Sequence, residues 1–287
     1  MNIRRHGVAL IVVGCVFWSF GGVLSKTVPW GAVSLTGFRA LIAAVALALL
    51  RRDFRPVNTP GTWIGALGVT ATSTLFIFAN KLTSAANAIV LQYAMPVVVI
   101  LFEAVVGRRR PPRKDVCAVA AVCAGVALCF CQGFSGGGML GNALALLSAF
   151  TNAAIYLAAR RSDCDALSYS YQGVLLSSPL AVALLFDPAV RPDAVEWLAA
   201  AAMGLCVAGG YLFFSLGMRA GVSPVTAAIV SNVEPILNPT WCFVFRGENP
   251  GALSIAGAVV VLGAVTVYTV VGMRGAKRVQ SDHDGRK

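Results

Sequence analysis

Two stretches of the chain carry nearly the same phrase: residues 88–96 read Ala-Ile-Val-Leu-Gln-Tyr-Ala-Met-Pro, and residues 228–235 read Ala-Ile-Val-Ser-Asn-Val-Glu-Pro. Their final prolines are 139 residues apart in a chain of 287 residues. A basic segment, residues 108–114, follows the first copy, whereas residues 246–251 after the second copy carry no net charge. Because basic loops stay in the cytoplasm, we expect the two copies to lie in opposite orientations in a membrane. Inverted repeats of this kind are typical of secondary transporters.

The composition is that of an integral membrane protein. Hydrophobic residues make up 57% of the chain and charged residues only 12%, whereas soluble domains carry about 25% charge. Between the charged segments lie apolar runs of roughly 17–22 residues, long enough to cross a ~30 Å hydrocarbon core as helices. The runs cover residues 8–25, 31–50, 61–79, 85–106, 115–132, 138–159, 167–186, 196–217, 224–245 and 251–272.

These runs predict an all-α integral membrane protein with ten transmembrane helices, arranged as two inverted five-helix repeats. The first repeat is predicted to cover residues 1–135 with helices one to five. The second, inverted repeat is predicted to cover residues 136–275 with helices six to ten, and residues 276–287 to form a cytoplasmic tail.

The distribution of Lys and Arg predicts the orientation. With both termini inside, 18 basic residues fall on the cytoplasmic side, and four fall outside: Lys26, Lys81, Arg191 and Arg246. The remaining one, Arg39, lies within helix two. The positive-inside rule therefore favours a multi-pass protein of the bacterial inner membrane with both termini in the cytoplasm. The net charge of +11 follows from this topology and does not indicate a nucleic-acid partner.

Enzyme motifs are weak in this chain. The string Gly133-Phe134-Ser135-Gly136-Gly137 matches a nucleophile pattern, but that chemistry needs a strand–turn–helix context and a histidine base. We interpret it as a glycine-rich outer turn between helices five and six. The two histidines, His6 and His283, lie in the terminal tails, away from any cysteine cluster. We therefore expect no catalytic site, no cofactor and no metal site.

Several motifs are typical of one transporter family. They are Phe17-Trp18-Ser19-Phe20-Gly21-Gly22, Phe38-Arg39, Ser84-Ala85, Ser223-Pro224, and Val233-Glu234-Pro235 followed by Gly247-Glu248. In these the chain resembles the drug/metabolite transporter superfamily, in its ten-helix form built from two EamA-type repeats. The resemblance implies a metabolite transporter, most similar to the amino-acid and metabolite exporters that include the YddG type. Thr151-Asn152 and Gly107-Arg108 depart from the family pattern, so the substrate is not carried over from any one member.

Helix nine is the least hydrocarbon-like of the predicted spans. Ser231, Glu234, Pro235, Asn238 and Trp241 recur at spacings of three and four residues and therefore share one face. A carboxylate at mid-membrane costs about 3 kcal/mol or more unless it is paired or hydrated. The prolines free backbone carbonyls, which are tolerated at that depth only against protein or a cavity. We predict that this face lines a central cavity; the alternative is that Glu234 only ties neighbouring helices together.

Arg39 is the predicted counterpart of Glu234. It lies eight residues from the outer end of helix two, ~12 Å deep, and Glu234 lies ~15 Å from the inner end of helix nine. Both are thus near the midplane. We hypothesise that they pair directly, or that they face one cavity and bind the carboxylate and the ammonium of a zwitterion. The alternative is that Arg39 snorkels outward.

Aromatic and polar residues on other helices complete the predicted cavity wall, because such mixed walls suit a small, partly apolar solute. These substrate-binding candidates are Trp18 on helix one, Gln92 and Tyr93 on helix four, Asn152 and Tyr156 on helix six, and Tyr211 on helix eight. Each alone is also consistent with helix packing. A stripe of small residues on helix three, Gly61, Gly65, Gly68 and Thr72, predicts close helix–helix contact.

Taken together, these features predict a secondary transporter that exports or exchanges small metabolites by alternating access. Aromatic or large apolar amino acids are the first candidates, and drugs, nucleosides or sugar-derived metabolites are the alternative cargo. A membrane-embedded enzyme or lipid-handling scaffold is the alternative of another class. The expected partners are a small-molecule substrate and the lipid bilayer; a monomer is consistent with the sequence, and the oligomeric state stays open.

Overall fold

The computed structural model describes residues 2–106, 112–136, 138–159, 163–222, 227 and 230–284. Within these residues all regular structure is helical, which confirms the predicted fold class. The elements are α1 (Asn2–Thr27), α2 (Ala32–Arg51), α3 (Pro60–Leu82), α4 (Ala85–Gln92), α5 (Met95–Val106), α6 (Arg113–Gly136), α7 (Met139–Ala159), α8 (Ala166–Ser177), a 3-10 helix (Ser178–Leu185), α9 (Ala194–Arg219), α10 (Glu234–Arg246) and α11 (Ala252–Asp284).

The ten predicted spans map onto these elements when broken helices are joined. Among the described residues, five segments are long and apolar enough to cross a membrane: His6–Thr27, Ala32–Arg51, Pro60–Leu82, Ala85–Phe102 and Ala194–Arg219. Three shorter apolar helices are Asp115–Cys131, Met139–Ile155 and Ala252–Tyr268. The seventh span consists of α8 and the 3-10 helix, and the ninth span ends in α10.

The fourth and ninth spans break at equivalent positions. Tyr93 and Ala94 form a turn between α4 and α5, and Asn232 and Val233 form a turn just before α10. The two turns are 139 residues apart, as are the prolines that follow each of them. Proline lacks an N–H and crowds the preceding turn, so the helix loses its ladder there. The sequence placed both prolines within continuous runs, and the structure shows that each run is two helices.

The seventh span changes helix type instead of breaking. Its α-helical part ends at Ser177, and the 3-10 helix that follows has Pro179 in its first turn. Leu180 and Ala181 lie directly on Gly37 of α2, where a Cβ atom would come within 2.0 Å of the Ala181 nitrogen. Only glycine fits at this contact, so the tight helix and the glycine position the seventh span against the second.

The most extensive helix packing joins the two repeats, and the helices within each repeat contact one another less. Among the described residues, α1 packs extensively on α9, and its counterpart α7 packs on α3. Other contacts come in equivalent pairs in the same way. The contact of α1 with α10 corresponds to that of α7 with α4, and the contact of α2 with α9 corresponds to that of α8 with α3. The helix α6 packs on its own counterpart, α11. The two repeats are thus related by a pseudo-two-fold exchange. Because five crossings separate equivalent helices, such a pair of repeats is inverted in the membrane.

Glycines allow several of these helices to approach closely. A Cβ atom on Gly14 of α1 would lie 2.9 Å from the carbonyl oxygen of Gly210 on α9, and one on Gly125 of α6 would lie 2.9 Å from that of Gly257 on α11. The predicted stripe on α3 is buried, and Thr72 shares a hydrogen bond of 2.7 Å with Thr151 of α7. The expectation of close packing at small residues is therefore confirmed.

Two helices of the first repeat are capped by carboxylates of the second. The N–H of Gly31 before α2 donates to Asp187 Oδ2 at 2.7 Å, and the N–H of Ala85 in α4 donates to Glu248 Oε1 at 2.6 Å. Carboxylates at helix N-termini satisfy free N–H groups and complement the helix dipole. Hydrogen bonds, first of all from Ser34, hold the pKa of Asp187 below its ordinary value. We call this end of the bundle, which also holds Lys26, the Lys26 end.

Some helix boundaries differ from the predicted ones. The helix α6 continues through Gly136, so the predicted glycine-rich turn at residues 133–137 is helical up to that residue. The helix α11 continues through Asp284, so most of the predicted tail is helical, and α1 begins at Asn2. Hydropathy marks only the part of a helix that lies in hydrocarbon, whereas backbone hydrogen bonds allow the helix to continue into water. Ser84 of the Ser84-Ala85 motif caps α4, and the Ser223-Pro224 motif lies outside the described residues.

Candidate functional site

The two helix breaks meet each other inside the bundle. Tyr93, immediately after α4, places its hydroxyl 2.9 Å from Oε2 of Glu234 and 3.0 Å from the carbonyl oxygen of Ser231 and can donate to either oxygen. Ser231 and Glu234 are both buried. The Ser231 carbonyl is the one that Pro235 leaves without an intrahelical donor, and Tyr93 of the other repeat satisfies it. The broken helices therefore cross at a point made of one residue from the first repeat and two from the second.

Arg39 is buried next to this crossing but has a different partner. Its Nη2 donates to the carbonyl oxygen of Ser73 at 2.7 Å and to the Ser73 hydroxyl at 2.6 Å, both on α3. Its Nε is buried without a hydrogen-bond partner, and only 5% of the residue is exposed. No ion pair joins it to Glu234 among the described residues. The direct Arg39–Glu234 pair is thus absent, and so is an outward-snorkelling arginine.

Tyr211 of α9 lies in the same region as the two charged residues. Its side chain lies close enough to both Arg39 and Glu234 to interact electrostatically with each. Trp18 of α1 packs edge-on against the Tyr211 ring, with the ring centroids 5.2 Å apart. Trp18 approaches so closely because Gly210 offers no side chain there. These contacts bring six of the predicted cavity residues into one neighbourhood: Trp18, Arg39, Tyr93, Tyr211, Ser231 and Glu234.

The half of the predicted helix-nine face nearer the Lys26 end packs on α1. Trp241 donates its indole N–H to the hydroxyl of Ser19 at 2.9 Å and stacks on Phe20, with centroids 5.2 Å apart. Asn238 is fully buried against Gly22, and neither polar atom of its amide has a partner. These two residues share the predicted face, and here that face is a helix–helix contact.

The remaining candidates lie along α7. Gln92 accepts a hydrogen bond of 3.2 Å from Ser148 of α7, which ties the end of α4 to that helix. Asn152 lies on α7 and is partly buried. Tyr156 belongs to the same helix, but its side chain lies outside the part of the chain that the structure describes. Among the described side chains, no hydrogen bond joins Gln92 or Asn152 to Arg39 or Glu234.

Ser73 is the site residue that the sequence did not single out. It is one of four hydroxyl residues between positions 70 and 74, where only Ala71 has no hydroxyl, and Thr72 of this run is hydrogen-bonded to α7. Such a run in an apolar helix places hydroxyls on every face, so the sequence alone does not tell which of them faces Arg39. The distinguishing feature is spatial: Ser73 offers both a side-chain and a main-chain oxygen to the same nitrogen of Arg39.

The chemistry of the site is that of recognition. A guanidinium and a carboxyl group lie in the neighbourhood of one aromatic side chain, Tyr211, and each is hydrogen-bonded to neutral protein groups. Among the described residues there is no cluster of three or more His, Cys, Asp or Glu side chains that could hold a metal ion. Arg39 still has donors to offer, so the site is suited to an anionic group of a ligand.

Known proteins similar to this chain are exporters. Over 258 residues it is 30% identical to the aromatic amino acid exporter YddG of Ancylobacter novellus, covering 85% of each protein. Over 280 residues it is 26% identical to the pseudopaline exporter CntI of Pseudomonas aeruginosa, covering 92% of this chain and 96% of that protein. A crystal structure with 20% identity matches with a TM-score of 0.61 over 93% of this chain and 98% of the other, which shows the fold alone.

The family profile matches the chain twice. The EamA-like transporter family is matched by residues 5–131 and again by residues 139–270. The two matches fall on the two halves that the packing relates to each other, which confirms the two-repeat fold. They also exclude the enzyme reading, because the family consists of transporters. The chain is a multi-pass membrane protein and belongs to the EamA-like transporter family within the drug/metabolite transporter superfamily.

Proposed function

We propose that the chain exports small zwitterionic metabolites, with aromatic or large apolar amino acids as the first candidates, by exposing one central site alternately to each side of the membrane. The site consists of Arg39 and Glu234 with the aromatic residues Trp18, Tyr93 and Tyr211 around them. The exporter names of two relatives support the export of small molecules. The amino-acid cargo is supported by the relative named as an aromatic amino acid exporter.

One observation carries the proposal: Arg39 is a buried arginine that forms no ion pair with any carboxylate among the described residues. A charge at the centre of a bilayer costs about 2.5–3.5 kcal/mol even by the mildest scales. Ser73 supplies two neutral oxygens, but the Arg39 Nε has no partner. A substrate carboxylate would pair with this guanidinium, and the substrate ammonium would take the place of the Tyr93 hydroxyl on Glu234.

The aromatic residues supply the apolar side of the same site. Trp18 and Tyr211 form an edge-to-face pair on the side of α1 and α9. Such pairs present flat apolar surface with few polar atoms and suit an aromatic or large aliphatic side chain. The remaining candidates, Gln92, Asn152, Tyr156, Asn238 and Trp241, are proposed to line the path rather than to hold the charged groups.

The orientation is part of the proposal. In the bacterial inner membrane, with both termini in the cytoplasm, the Lys26 end faces outward and most basic residues face inward, as the positive-inside rule requires. Two modes of transport are possible for this site: coupling to a proton gradient, with the proton carried on Glu234, and simple exchange of substrate. The experiment described next separates them.

The test is counterflow in liposomes that contain the purified protein. Labelled phenylalanine, methionine and threonine are offered with and without a pH gradient, and protein-dependent exchange is the expected result. Phenethylamine, which lacks the carboxylate, and phenylpropionate, which lacks the ammonium, are expected to compete at least about tenfold more weakly than phenylalanine, since each leaves one buried charged residue without its partner.

Two variants sharpen the experiment. Glu234→Gln keeps an oxygen that accepts from Tyr93, so it is expected to fold and to lose exchange of zwitterions. In a folded double variant, Arg39→Ala with Glu234→Ala, exchange at the wild-type rate would contradict the proposed site. If no amino acid is exchanged by folded protein, the amino-acid cargo is wrong, and the pseudopaline-exporter relative favours a different metabolite as the second candidate.

A further inference from the structure

A second polar cluster lies at the Lys26 end, away from Arg39 and Glu234. Lys26 Nζ, at the end of α1, lies 3.2 Å from Oε2 of Glu248 and donates to the carbonyl oxygen of Thr83 at 2.7 Å. The other oxygen of Glu248, Oε1, accepts from the N–H of Ala85 at 2.6 Å. Both charged side chains are about one-fifth exposed. We call these four residues, Lys26, Thr83, Ala85 and Glu248, the clasp.

The clasp depends on a turn that only glycine makes easily. Gly247 ends α10 with φ +64°, and its N–H and that of Glu248 return to the carbonyl oxygens of Phe243 and Cys242. This left-handed helix end folds the chain back, so that Glu248 points toward the start of α4. The Gly-Glu pair that ends the ninth span thus has a geometric purpose: the glycine turns the chain, and the carboxylate holds a helix of the other repeat.

The clasp and the central site are connected by two antiparallel helices. From Ala85 to Tyr93 the chain rises eight residues, ~12 Å, and from Glu234 to Cys242 it rises the same number. Ala85 and Cys242 pack in one buried cluster at one end, while Tyr93 and Glu234 are hydrogen-bonded at the other. The outer halves of the two broken spans, α4 and α10, are therefore fastened together at both ends.

We infer that the clasp is the gate at the Lys26 end of the transport path, closed in this structure, with the Gly247-Glu248 turn as its moving part. This inference rests on the proposed alternating exposure of the site. The central fastening, Tyr93 on Glu234, is the contact that a substrate ammonium replaces. Once it is replaced, the clasp and the buried cluster of Ala85 and Cys242 still hold α4 against α10. The clasp is the polar part of that contact, so its strength helps to set how often the loaded protein opens at this end.

A static structural tie would behave differently from a gate. Weakening a tie would lower thermal stability and leave the separation of the helix ends unchanged. Weakening a gate would shift the population toward a conformation in which those ends are apart. The distance between the carboxyl-terminal end of α3 and the turn between α10 and α11 distinguishes a gate from a tie. This distance can be measured without knowing the cargo.

The experiment places spin labels at Leu82→Cys and Asn249→Cys, two exposed positions on either side of the clasp, and measures their distance by pulsed electron spin resonance. The eight native cysteines are replaced first. Two variants break the ion pair: Lys26→Met, and Glu248→Gln, which keeps an oxygen for the Ala85 N–H. Arg219→Gln is the matched control, because it breaks the exposed Arg219–Asp165 pair of 3.1 Å in another part of the protein.

We expect both clasp variants to raise the population at longer distance at least about fivefold. The added separation is expected to be on the order of one helical turn, ~5 Å, and the control to match the parent. If both variants fold and their distance distributions equal that of the control, the clasp is not a gate. A protein that exchanges no amino acid yet shows the shift would refute the proposed cargo and keep the gate.

Discussion

A phenol has one hydrogen to donate, and Tyr93 places it between two acceptors of the opposite repeat, the Glu234 carboxyl group and the Ser231 carbonyl. Both Ser231 and Glu234 are buried. The Ser231 carbonyl is free to accept because Pro235 has no N–H to donate to it. At the scale of single residues, the centre of the protein is therefore held by a hydrogen bond between repeats rather than by an ion pair.

Replacing Tyr93 with phenylalanine tests this role. The change leaves two buried acceptors without a donor, which is expected to cost about 0.6–2 kcal/mol and to lower the melting temperature by ~2–4 °C for each kcal/mol. Thermal unfolding in detergent measures the loss. Tyr93→Phe is also expected to change the rate of exchange, because the hydroxyl occupies the place proposed for the substrate ammonium.

The matched control for this prediction is Tyr171→Phe. Tyr171 donates to the carbonyl oxygen of Phe54 at 2.9 Å, between α8 and the segment after α2. The Tyr171→Phe variant is expected to lower the melting temperature by a similar amount and to leave the rate of exchange unchanged. If the Tyr93→Phe variant also exchanges substrate at the parent rate, Tyr93 has only a structural role.

The sequence predicted the charged residues of this site but not their partners. Depth in the membrane follows from counting residues along a run, so Arg39 and Glu234 could both be assigned to the midplane. Which residue faces which depends on the rotation and tilt of each helix, and these are fixed by packing with the other repeat. For that reason the sequence did not identify Ser73 as the partner of Arg39, and the alternative in which Arg39 pairs directly with Glu234 was wrong.

At the scale of elements, the closest contacts between helices lie at glycines, which have no side chain to keep the backbones apart. The helices α6 and α11 touch through Gly125 and Gly257, each of which would bring a Cβ atom within 3 Å of the backbone of the other helix. Small-residue stripes can be recognised in a sequence, and the one on α3 was. The helix breaks were harder to predict, because a proline in an apolar run is also compatible with a kinked continuous helix.

Two glycines on α11 give a matched pair for testing this packing. Alanine at Gly257 would come within 2.7 Å of the Gly125 carbonyl oxygen and of the Cys129 sulfur, so Gly257→Ala is expected to cost about 1–3 kcal/mol. At Gly263 nothing lies within 4 Å of the added methyl group, so Gly263→Ala is expected to be neutral or stabilising by up to ~1 kcal/mol. Thermal unfolding compares them, and equal melting temperatures would contradict the close approach of α6 and α11.

At the scale of the whole molecule, the chain is two similar halves that pack by exchange. The composition, the charge distribution and the repeated phrase predicted this architecture, because each can be read along the chain without knowing how the helices pack. The orientation in the membrane is predicted from the charge distribution alone, and a topology experiment tests it directly.

Reporter fusions test the predicted orientation. Alkaline phosphatase, which needs the disulfide-forming side of the membrane, is expected to be active when fused after Pro192 and inactive when fused after Asp53. Green fluorescent protein at the carboxyl terminus is expected to fluoresce in the cytoplasm. The opposite pattern would place the Lys26 end inside and reverse the direction in which the proposed gate opens.

The exchange of partners between repeats has a consequence for how the protein is made. Among the described residues, the extensive helix pairs, such as α1 with α9, α3 with α7 and α6 with α11, each join an early segment to a late one. While the ribosome is still translating the second half, we therefore expect the glycine faces at Gly14 and Gly125 to lack the helices on which they pack in the finished protein. The first five helices are then inserted in the bilayer without their packing partners. We expect insertion factors and membrane proteases to act on the nascent chain mainly during that interval.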